Sequence, residues 1–261
     1  MRYFIKLAYN GTPFFGWQIQ PKQISVQEIL ERALSLLLKS KQNSENAESR
    51  QLIDLVGCGR TDTGVHAREF YAHFNFHNLL SVAELDNLTY KLNSFLPKEI
   101  VIDGITLMHD EAHARFDAIE RTYRYYINEK KNPFTFPFAY RVFEKLNVEE
   151  MNKAASLLID TKDFTSFSKL HTQVNNNYCH VRTAIWKEEK GELVFEITAN
   201  RFLRNMVRAL VGTLLEVGKG KMTISEFQVI INKKDRCKAG VSVPAHALFL
   251  EKIRYPYSNR L

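Results

Sequence analysis

The sequence predicts an α+β fold made of two similar halves, residues 1–108 and 109–261, each a mixed and mainly antiparallel sheet with helices on one side. In the first half the predicted elements run strand, helix, strand, strand, helix, strand, which is a split β-α-β arrangement. The second half repeats this order with one added helix, although no repeat of the sequence itself is detectable. We therefore expect the two sheets to join across a central basic cleft, with residues 108–115 as the crossing.

The elements of the first half follow from apolar periodicity and capping signals. Ser25 and Ser81 each begin a capping box that opens an amphipathic helix. Residues 39–50 are polar and of low complexity, which predicts a surface loop. Alternation of apolar and polar residues predicts strands at residues 2–9, 52–57, 70–77 and 100–107. The third of these strands has one apolar face, and its histidines, His73 and His77, are expected on the polar face rather than at a metal.

The second half is interpreted by the same rules. A cap at Asn147 opens one helix, a second is predicted over residues 202–217, and the added helix follows the capping box that begins at Thr223. Strands are predicted at residues 122–128, 181–189, 193–199 and 248–255.

Charge and cysteine content indicate which kind of partner and which cellular compartment to expect. The net charge is +7; residues 1–109 carry 11 basic and 11 acidic residues, whereas residues 110–261 carry 25 and 18. A basic half suggests a polyanionic partner, with nucleic acid as the leading candidate. Three cysteines without a C-x-x-C pair indicate a reducing compartment. No signal peptide or long apolar segment is apparent, so we expect a cytoplasmic protein without a membrane partner.

A glycine-rich loop after an apolar run is the strongest candidate site. Three glycines in the stretch from Gly57 to Ala67 allow a sharp turn and close approach to a ligand. The loop contains one carboxylate, Asp62. Arg60 precedes it by two residues and His66 follows it by four, so basic groups that can bind an anionic substrate bracket the acid. An aspartate in a turn also commonly caps its own backbone, and the local pattern alone leaves that alternative open.

Two other functions suggested by this loop are excluded. Asp62-Thr63-Gly64 is the tripeptide of aspartic proteases, but a second carboxylate of that kind is required and no other Asp-Thr-Gly or Asp-Ser-Gly occurs. Gly57-Cys58-Gly59 matches the first two glycines of a dinucleotide-binding loop, but the third glycine is replaced by Asp62, and no Lys-Ser/Thr pair follows as in a P-loop.

The sequence of this loop also resembles the signature of a known family. GRTDTGVHA at residues 59–67 resembles the signature of the tRNA pseudouridine synthase A family, which carries Gly-Arg-Thr-Asp-x-Gly-Val-His-Ala around a nucleophilic Asp. Four further stretches resemble the family in the same order: YNGTPFFGWQIQ (9–20), HARFDAIERTYRYY (113–126), DFTSFS (163–168) with CHVRT (179–183), and RFLRNMVRALVGTLLEVG (201–218). The resemblance therefore spans nearly the whole chain.

This resemblance implies the pseudouridine synthase fold and the isomerisation of uridine to pseudouridine at positions 38 to 40 of the tRNA anticodon stem-loop. Asp62 would be the nucleophile, attacking either the ribose C1′ or the uracil C6. Arg60 would fill or brace the gap left by the flipped nucleotide, and Tyr123 would pack on the uracil. Arg208 matches the family arginine that lies beside the nucleophile. Family members are homodimers, and the chemistry requires neither a metal nor another cofactor.

Two basic segments also qualify as RNA-contacting. In a strand, Arg121, Tyr123 and Tyr125 share one face, which would either stack a base or contribute tyrosines to the core. Arg201 and Arg204 precede Arg208 at helical spacing and would form either an RNA-binding or a solvated basic stripe. The candidate RNA contacts are His66, Arg121, Arg201 and Arg204.

Two further features bear on the site. His109 and His113 are four residues apart, but neither metalloprotease motif is present and no third ligand follows, so no metal site is expected. Near the C-terminus the family pattern Ala-Pro-Ala-x-Gly-Leu is replaced by Val243 to Leu248, with Ala247 in place of Gly. We expect that substitution to reshape the last loop of the site slightly.

Two rival functions remain at the level of sequence. One is a non-catalytic RNA-binding protein on the same fold, against which the presence of Asp62 argues. The other is a paralogous synthase that acts on uridines elsewhere in RNA.

Overall fold

The computed structural model describes residues 1–39, 53–169 and 176–257, and the chain divides into two compact units. One unit comprises Met1–Ile119 with the C-terminal residues from Ile253, and the other comprises Glu120–Lys252. The sequence places the division earlier, after residue 108. Most of the surface loop expected at residues 39–50 lies outside the described residues, as does residue 52 at the start of an expected strand.

The first unit is a small antiparallel sheet with two helices. Its strands are β1 (Arg2–Tyr9), β2 (Val56–Gly57), β3 (His66–Asn75) and β4 (Ile100–Met108), and its helices are α1 (Val26–Lys39) and α2 (Val82–Phe95). The strands lie in the order β4-β1-β3, and β2 pairs with β3. Strand β1 is central because its side chains are apolar on both faces: Tyr3, Phe4, Ile5 and Leu7 are at most 1% exposed.

The predicted capping signals are confirmed in this unit. The hydroxyl of Ser81 accepts the backbone N–H of Glu84, and the Glu84 carboxylate accepts the backbone N–H of Ser81. The hydroxyl of Ser25 accepts the N–H of Glu28 at 3.3 Å, at the start of α1. These bonds satisfy N–H groups that the first helical turn would otherwise leave unpaired. Both helices therefore begin where the local sequence predicts.

Two predictions for this unit are wrong in detail. Of the strand expected at residues 52–57, the described part is extended and paired only at Val56 and Gly57. Strand β3 begins at His66 rather than at residue 70, and part of its predicted polar face is buried: Tyr71 and His73 are each 4% exposed, whereas Asn75 and His77 are exposed as predicted. The aromatic ring of Tyr255 packs edge-on against Tyr71, with ring centroids 5.2 Å apart, and His113 covers His73. Residues distant in sequence thus bury both faces of β3.

In its described residues, the second unit combines antiparallel and parallel strands with three α-helices. Its strands are β5 (Glu120–Asn128), β6 (Tyr140–Arg141), β7 (Val181–Glu189), β8 (Glu192–Ala199) and β9 (Leu248–Arg254, whose last two residues belong to the first unit). Its helices are α3 (Val148–Asp160), α4 (Met206–Gly218) and α5 (Ile224–Lys233). The strand order is β9-β5-β8-β7; β5, β8 and β7 pair antiparallel, and β6 adds to β5 in parallel. The mainly antiparallel α+β class is confirmed.

Helix α4 is the core helix of this unit. Every residue in it except Arg208 and Glu216 is buried. It begins at Met206, not at residue 202, because Asn205 adopts the left-handed conformation with φ 66° and ends any helical path before it. Arg201 and Arg204 consequently precede the helix, and the predicted helical stripe of three arginines is wrong.

No helix among the described residues is long and apolar enough to cross a membrane.

Candidate active site

Asp62 lies in the connection between two paired strands of the first unit. Val56 and Gly57 of β2 pair with His73 and Ala72 of β3, so the chain leaves the sheet on one strand and re-enters it on the neighbouring strand, at His66. Gly64 supplies the left-handed turn at φ 76°.

The loop packs directly against the Tyr9–Gln20 segment. A Cβ at Gly57 would lie 2.5 Å from the indole of Trp17, so only glycine fits there without movement of the buried ring. Gly16 has φ 83°, and a Cβ on it would overlap the carbonyl oxygen of Thr61. Two glycines from different parts of the chain therefore permit this close backbone approach.

Hydrogen bonds then fix the residue before Asp62. The hydroxyls of Tyr9 and Thr61 are 2.8 Å apart in a buried hydrogen bond. The backbone N–H of Trp17 donates to the Thr61 carbonyl oxygen at 3.3 Å. On the other side, the N–H of Val65 donates to the Asp62 carbonyl oxygen at 3.1 Å. The backbone that carries the carboxylate is thus held from both directions, which preorganises the side chain.

The three polar residues of the loop have different environments. Asp62 is half-buried and Arg60 is exposed, with its Nε donating to Oε1 of Gln18 at 3.1 Å. His66 is only 1% exposed, and its Nδ1 accepts the backbone N–H of Gly11 at 3.0 Å. The histidine therefore ties the loop to the N-terminal segment from within. Its contact with RNA remains a prediction.

The second unit contains the tyrosines of β5. Tyr123 is half-buried, and its ring and that of Phe202 pack in a T shape, with centroids 5.0 Å apart and planes at 83°. Tyr125, two residues on, is fully buried and donates its hydroxyl to the carbonyl oxygen of Pro244 at 2.9 Å. Burial raises the pKa of the Tyr125 phenol. Of these two tyrosines, Tyr125 is a core residue, whereas Tyr123 retains solvent access.

Arg208 links α4 to the segment that precedes β9. Its Nε donates to the Val243 carbonyl oxygen at 2.7 Å, and the Val243 N–H donates to the Arg208 carbonyl oxygen at 3.2 Å. Its positive charge partly offsets the rise in the pKa of Tyr125. Tyr125, Pro244, Val243 and Arg208 therefore form one connected group inside the second unit.

Ala247 lies in a short 3₁₀ helix, Ala245–Ala247, in the same segment. It is fully buried and is not among the described residues with positive φ. Alanine therefore fits this backbone without strain, and its methyl group adds to the core.

The remaining basic candidates are less constrained. Arg121 is half-buried and donates from Nη1 to the Asn200 carbonyl oxygen at 2.8 Å. Arg201 is half-buried near Cys179, whereas Arg204 is exposed and accepts the Lys169 N–H through its carbonyl oxygen. Arg121 thus lies on strand β5, whereas Arg201 and Arg204 lie in the irregular segment before α4, so the three arginines do not share one helix face.

The histidines considered for a metal have separate packing partners. The ring of His109 packs edge-on against Tyr257, and the ring of His113 stacks on Phe116 with centroids 4.2 Å apart. Within the described ranges, no group of three or more His, Cys, Asp or Glu residues is arranged to hold a metal ion.

Sequence reasoning about individual residues missed the supports of the Asp62 loop. Tyr9, Gly16 and Gln18 contact the loop directly, yet neither composition nor spacing singles them out. The available signal is their position in the YNGTPFFGWQIQ motif, which resembles the family as a whole segment.

Comparison with known proteins defines the class. The family model described as tRNA pseudouridine synthase matches residues 154–256. The chain is 51% identical over 255 residues to a tRNA pseudouridine synthase A from Parabacteroides distasonis, covering 98% of this chain and 96% of that protein. It is 49% identical to the protein of that name from Bacteroides thetaiotaomicron (98% and 91% covered) and 38% identical to that from Bacillus subtilis (98% and 99%). The chain belongs to the tRNA pseudouridine synthase A family.

Proposed function

We propose that this protein isomerises uridine to pseudouridine in tRNA, at positions 38 to 40 of the anticodon stem-loop, with Asp62 as the nucleophile. The observation that carries the proposal is a preorganised Asp62 loop in a chain that matches, over 98% of its length, a relative named tRNA pseudouridine synthase A. The alternatives are a synthase for other RNA uridines and an RNA-binding protein without activity.

The chemistry requires little beyond a nucleophile and precise positioning. The N1–C1′ bond breaks, the uracil turns, C5 bonds to C1′, and the proton lost from C5 is balanced by one gained at N1. The product is an isomer of the substrate, so there is no net oxidation or reduction. Asp62 forms a temporary covalent bond to either C1′ or C6, and its half-buried, backbone-anchored position suits this role.

Access to the uridine requires the nucleotide to leave the base stack. Arg60 is exposed two residues before Asp62 and can occupy or brace the vacated position. Tyr123 retains solvent access, and because the rings of Tyr123 and Phe202 are nearly perpendicular, Phe202 covers at most one face of Tyr123, so the other can stack on uracil. Such stacking contributes about 1–3 kcal/mol per base. We assign Tyr123 to base orientation and to accepting the C5 proton late in the reaction, and Arg208 to neutralising the Asp62 carboxylate until uridine binds.

The proposed function also implies tRNA and a second subunit as partners, and the cytoplasm as the location. The excess of basic residues in the second half supports binding of a polyanion such as tRNA. The three cysteines are free, which supports a reducing compartment and hence the cytoplasm. The resemblance to the family is the support for a homodimer that binds tRNA across both subunits.

The test compares wild-type protein with Asp62→Asn and, as a matched control, Asp54→Asn, which changes an exposed aspartate eight residues earlier. Each is incubated with unmodified tRNA, pseudouridine is mapped by chemical probing, and tRNA binding is measured in parallel. We expect wild type and Asp54→Asn to modify positions 38 to 40, and Asp62→Asn to bind tRNA without modifying it.

Each contrary outcome is informative. Binding by wild type without any pseudouridine would favour the non-catalytic alternative, and modification at other positions would favour the paralogous synthase. Retention of more than about a tenth of the activity in Asp62→Asn would exclude the covalent role of this residue.

A further inference from the structure

Arg60 has one hydrogen bond that orients it and two nitrogens that remain available. Its side chain is exposed, and its Nε donates to Oε1 of Gln18 at 3.1 Å. Across the described ranges it makes no other hydrogen bond and no ion pair. The guanidinium is therefore held through one edge, while its terminal nitrogens, Nη1 and Nη2, can bind a ligand.

Gln18 is itself held by the backbone on both sides. The buried Trp17 before it donates its N–H to Thr61 at 3.3 Å and accepts the N–H of Gln27 at 3.0 Å. The N–H of Ile19 after it donates to the side-chain oxygen of Gln27 at 3.2 Å. Gln27 lies in the first turn of α1. The amide that orients Arg60 is therefore attached to a helix and to the Asp62 loop, although it is 42 residues from Arg60 in sequence.

The chemical type of residue 18 matters as much as its position. An amide oxygen accepts a hydrogen bond but carries no net charge, so it can direct the guanidinium without neutralising it. A carboxylate at this position would form an ion pair with Arg60 and compete with an anionic ligand. With Nε occupied, the free edge of the guanidinium has the fork geometry that matches two oxygens of a phosphate group.

We propose that Gln18 is a positioning residue that directs Arg60 toward a phosphodiester group beside the reacting nucleotide, from which the guanidinium braces the position that the flipped base leaves. The inference deepens the proposed function and rests on it. Without Gln18, Arg60 keeps its charge but samples many orientations, so the loss falls on the rate at which bound RNA reaches the reactive arrangement.

The test is a mutant cycle between residues 18 and 60. Gln18→Ala and Gln18→Glu are made in the wild-type and Arg60→Ala backgrounds, with Gln23→Ala as control, because Gln23 is an exposed glutamine of the same segment whose side chain makes no hydrogen bond among the described residues. For each protein we measure the single-turnover rate of pseudouridine formation, the Kd for tRNA at several salt concentrations, and thermal unfolding.

We expect Gln18→Ala to slow single turnover about five- to tenfold with less than about a twofold change in Kd. In the Arg60→Ala background the same substitution should have no further effect, because its target is gone. Gln18→Glu should weaken tRNA binding and reduce its salt dependence, since it pairs the arginine. Gln23→Ala should match wild type, and thermal unfolding should be unchanged throughout.

Three results would overturn the inference. A normal single-turnover rate for Gln18→Ala would remove the positioning role while leaving the proposed function intact. An equal slowing in the Arg60→Ala background would show that Gln18 acts through another group. Failure of the wild-type protein to form pseudouridine would overturn the proposed function and, with it, this inference.

Discussion

Acid should destabilise the first unit through one buried histidine. His73 is 4% exposed, and its Nδ1 accepts the backbone N–H of Ala114 at 3.1 Å. Burial is the largest of the effects that lower the pKa of His73 from 6.5 to about 4; the positive charge of Arg2 and the neighbouring His113 act in the same direction, and the Asp117 carboxylate opposes them. The imidazole is therefore neutral in the folded protein at neutral pH.

The size of this pH effect on stability follows from the difference between the pKa of His73 in the folded chain and its pKa in the unfolded chain. Above pH 6.5 the imidazole is neutral in both the folded and the unfolded chain, and this contribution to stability is fully present. Between pH 6.5 and about 4 the unfolded chain binds a proton that the folded chain excludes, so stability is lost as pH falls through this window. At 1.36 kcal/mol per pH unit, the loss assigned to His73 is about 3 kcal/mol.

The assay compares wild type with His73→Asn, whose amide oxygen can accept the Ala114 N–H but does not titrate. The chain has two tryptophans, Trp17 in the first unit and Trp186 in the second, so Trp186→Phe in both proteins leaves Trp17 as the reporter of the first unit. Urea unfolding is measured from pH 7 to pH 4. Wild type should lose about 2–3 kcal/mol more than His73→Asn, and equal losses would refute the reasoning.

A Cβ at Gly57 would lie 2.5 Å from the Trp17 indole, so Gly57→Ala should lower the free energy of unfolding by about 1–3 kcal/mol in urea. Gly59→Ala is its control, because nothing lies within 4 Å of that position. Tyr125→Phe leaves the Pro244 carbonyl without its donor and should cost about 1–3 kcal/mol by thermal unfolding, and an unchanged midpoint would contradict that bond. Affinity for tRNA, measured by filter binding, should fall steeply with salt; a flat response would exclude phosphate contacts as its main source.

Local chemistry explains which elements could be predicted from sequence. The capping residues Ser81 and Thr223 each accept a hydrogen bond from a glutamate three residues on, and α2 and α5 begin directly after them. Strand β7 has the predicted bounds, because alternation over nine residues is a property of the strand itself. Each of these signals is contained within a few consecutive residues.

The errors occur where distant residues decide the outcome. Alternation predicts an exposed polar face on β3, but a sequence pattern does not show that Tyr255 will cover Tyr71 or that His113 will cover His73. The sequence pattern predicts that α4 starts at residue 202, whereas the helix starts at Met206, after Asn205 in the left-handed conformation. Asparagine adopts this conformation only in some contexts, so the local sequence does not predict it here. Both features depend on tertiary packing rather than on intrinsic preference.

The candidate site divides in the same way. The glycines and the signature around the carboxylate identify the Asp62 loop from local residues alone, and composition identifies the basic character of the second half. Tertiary packing turns His66 inward to Gly11, buries Tyr125 while Tyr123 retains solvent access, and brings Gln18 within hydrogen-bond distance of Arg60. A residue's type limits the bonds it can form, whereas burial and a partner's position determine which of them it makes.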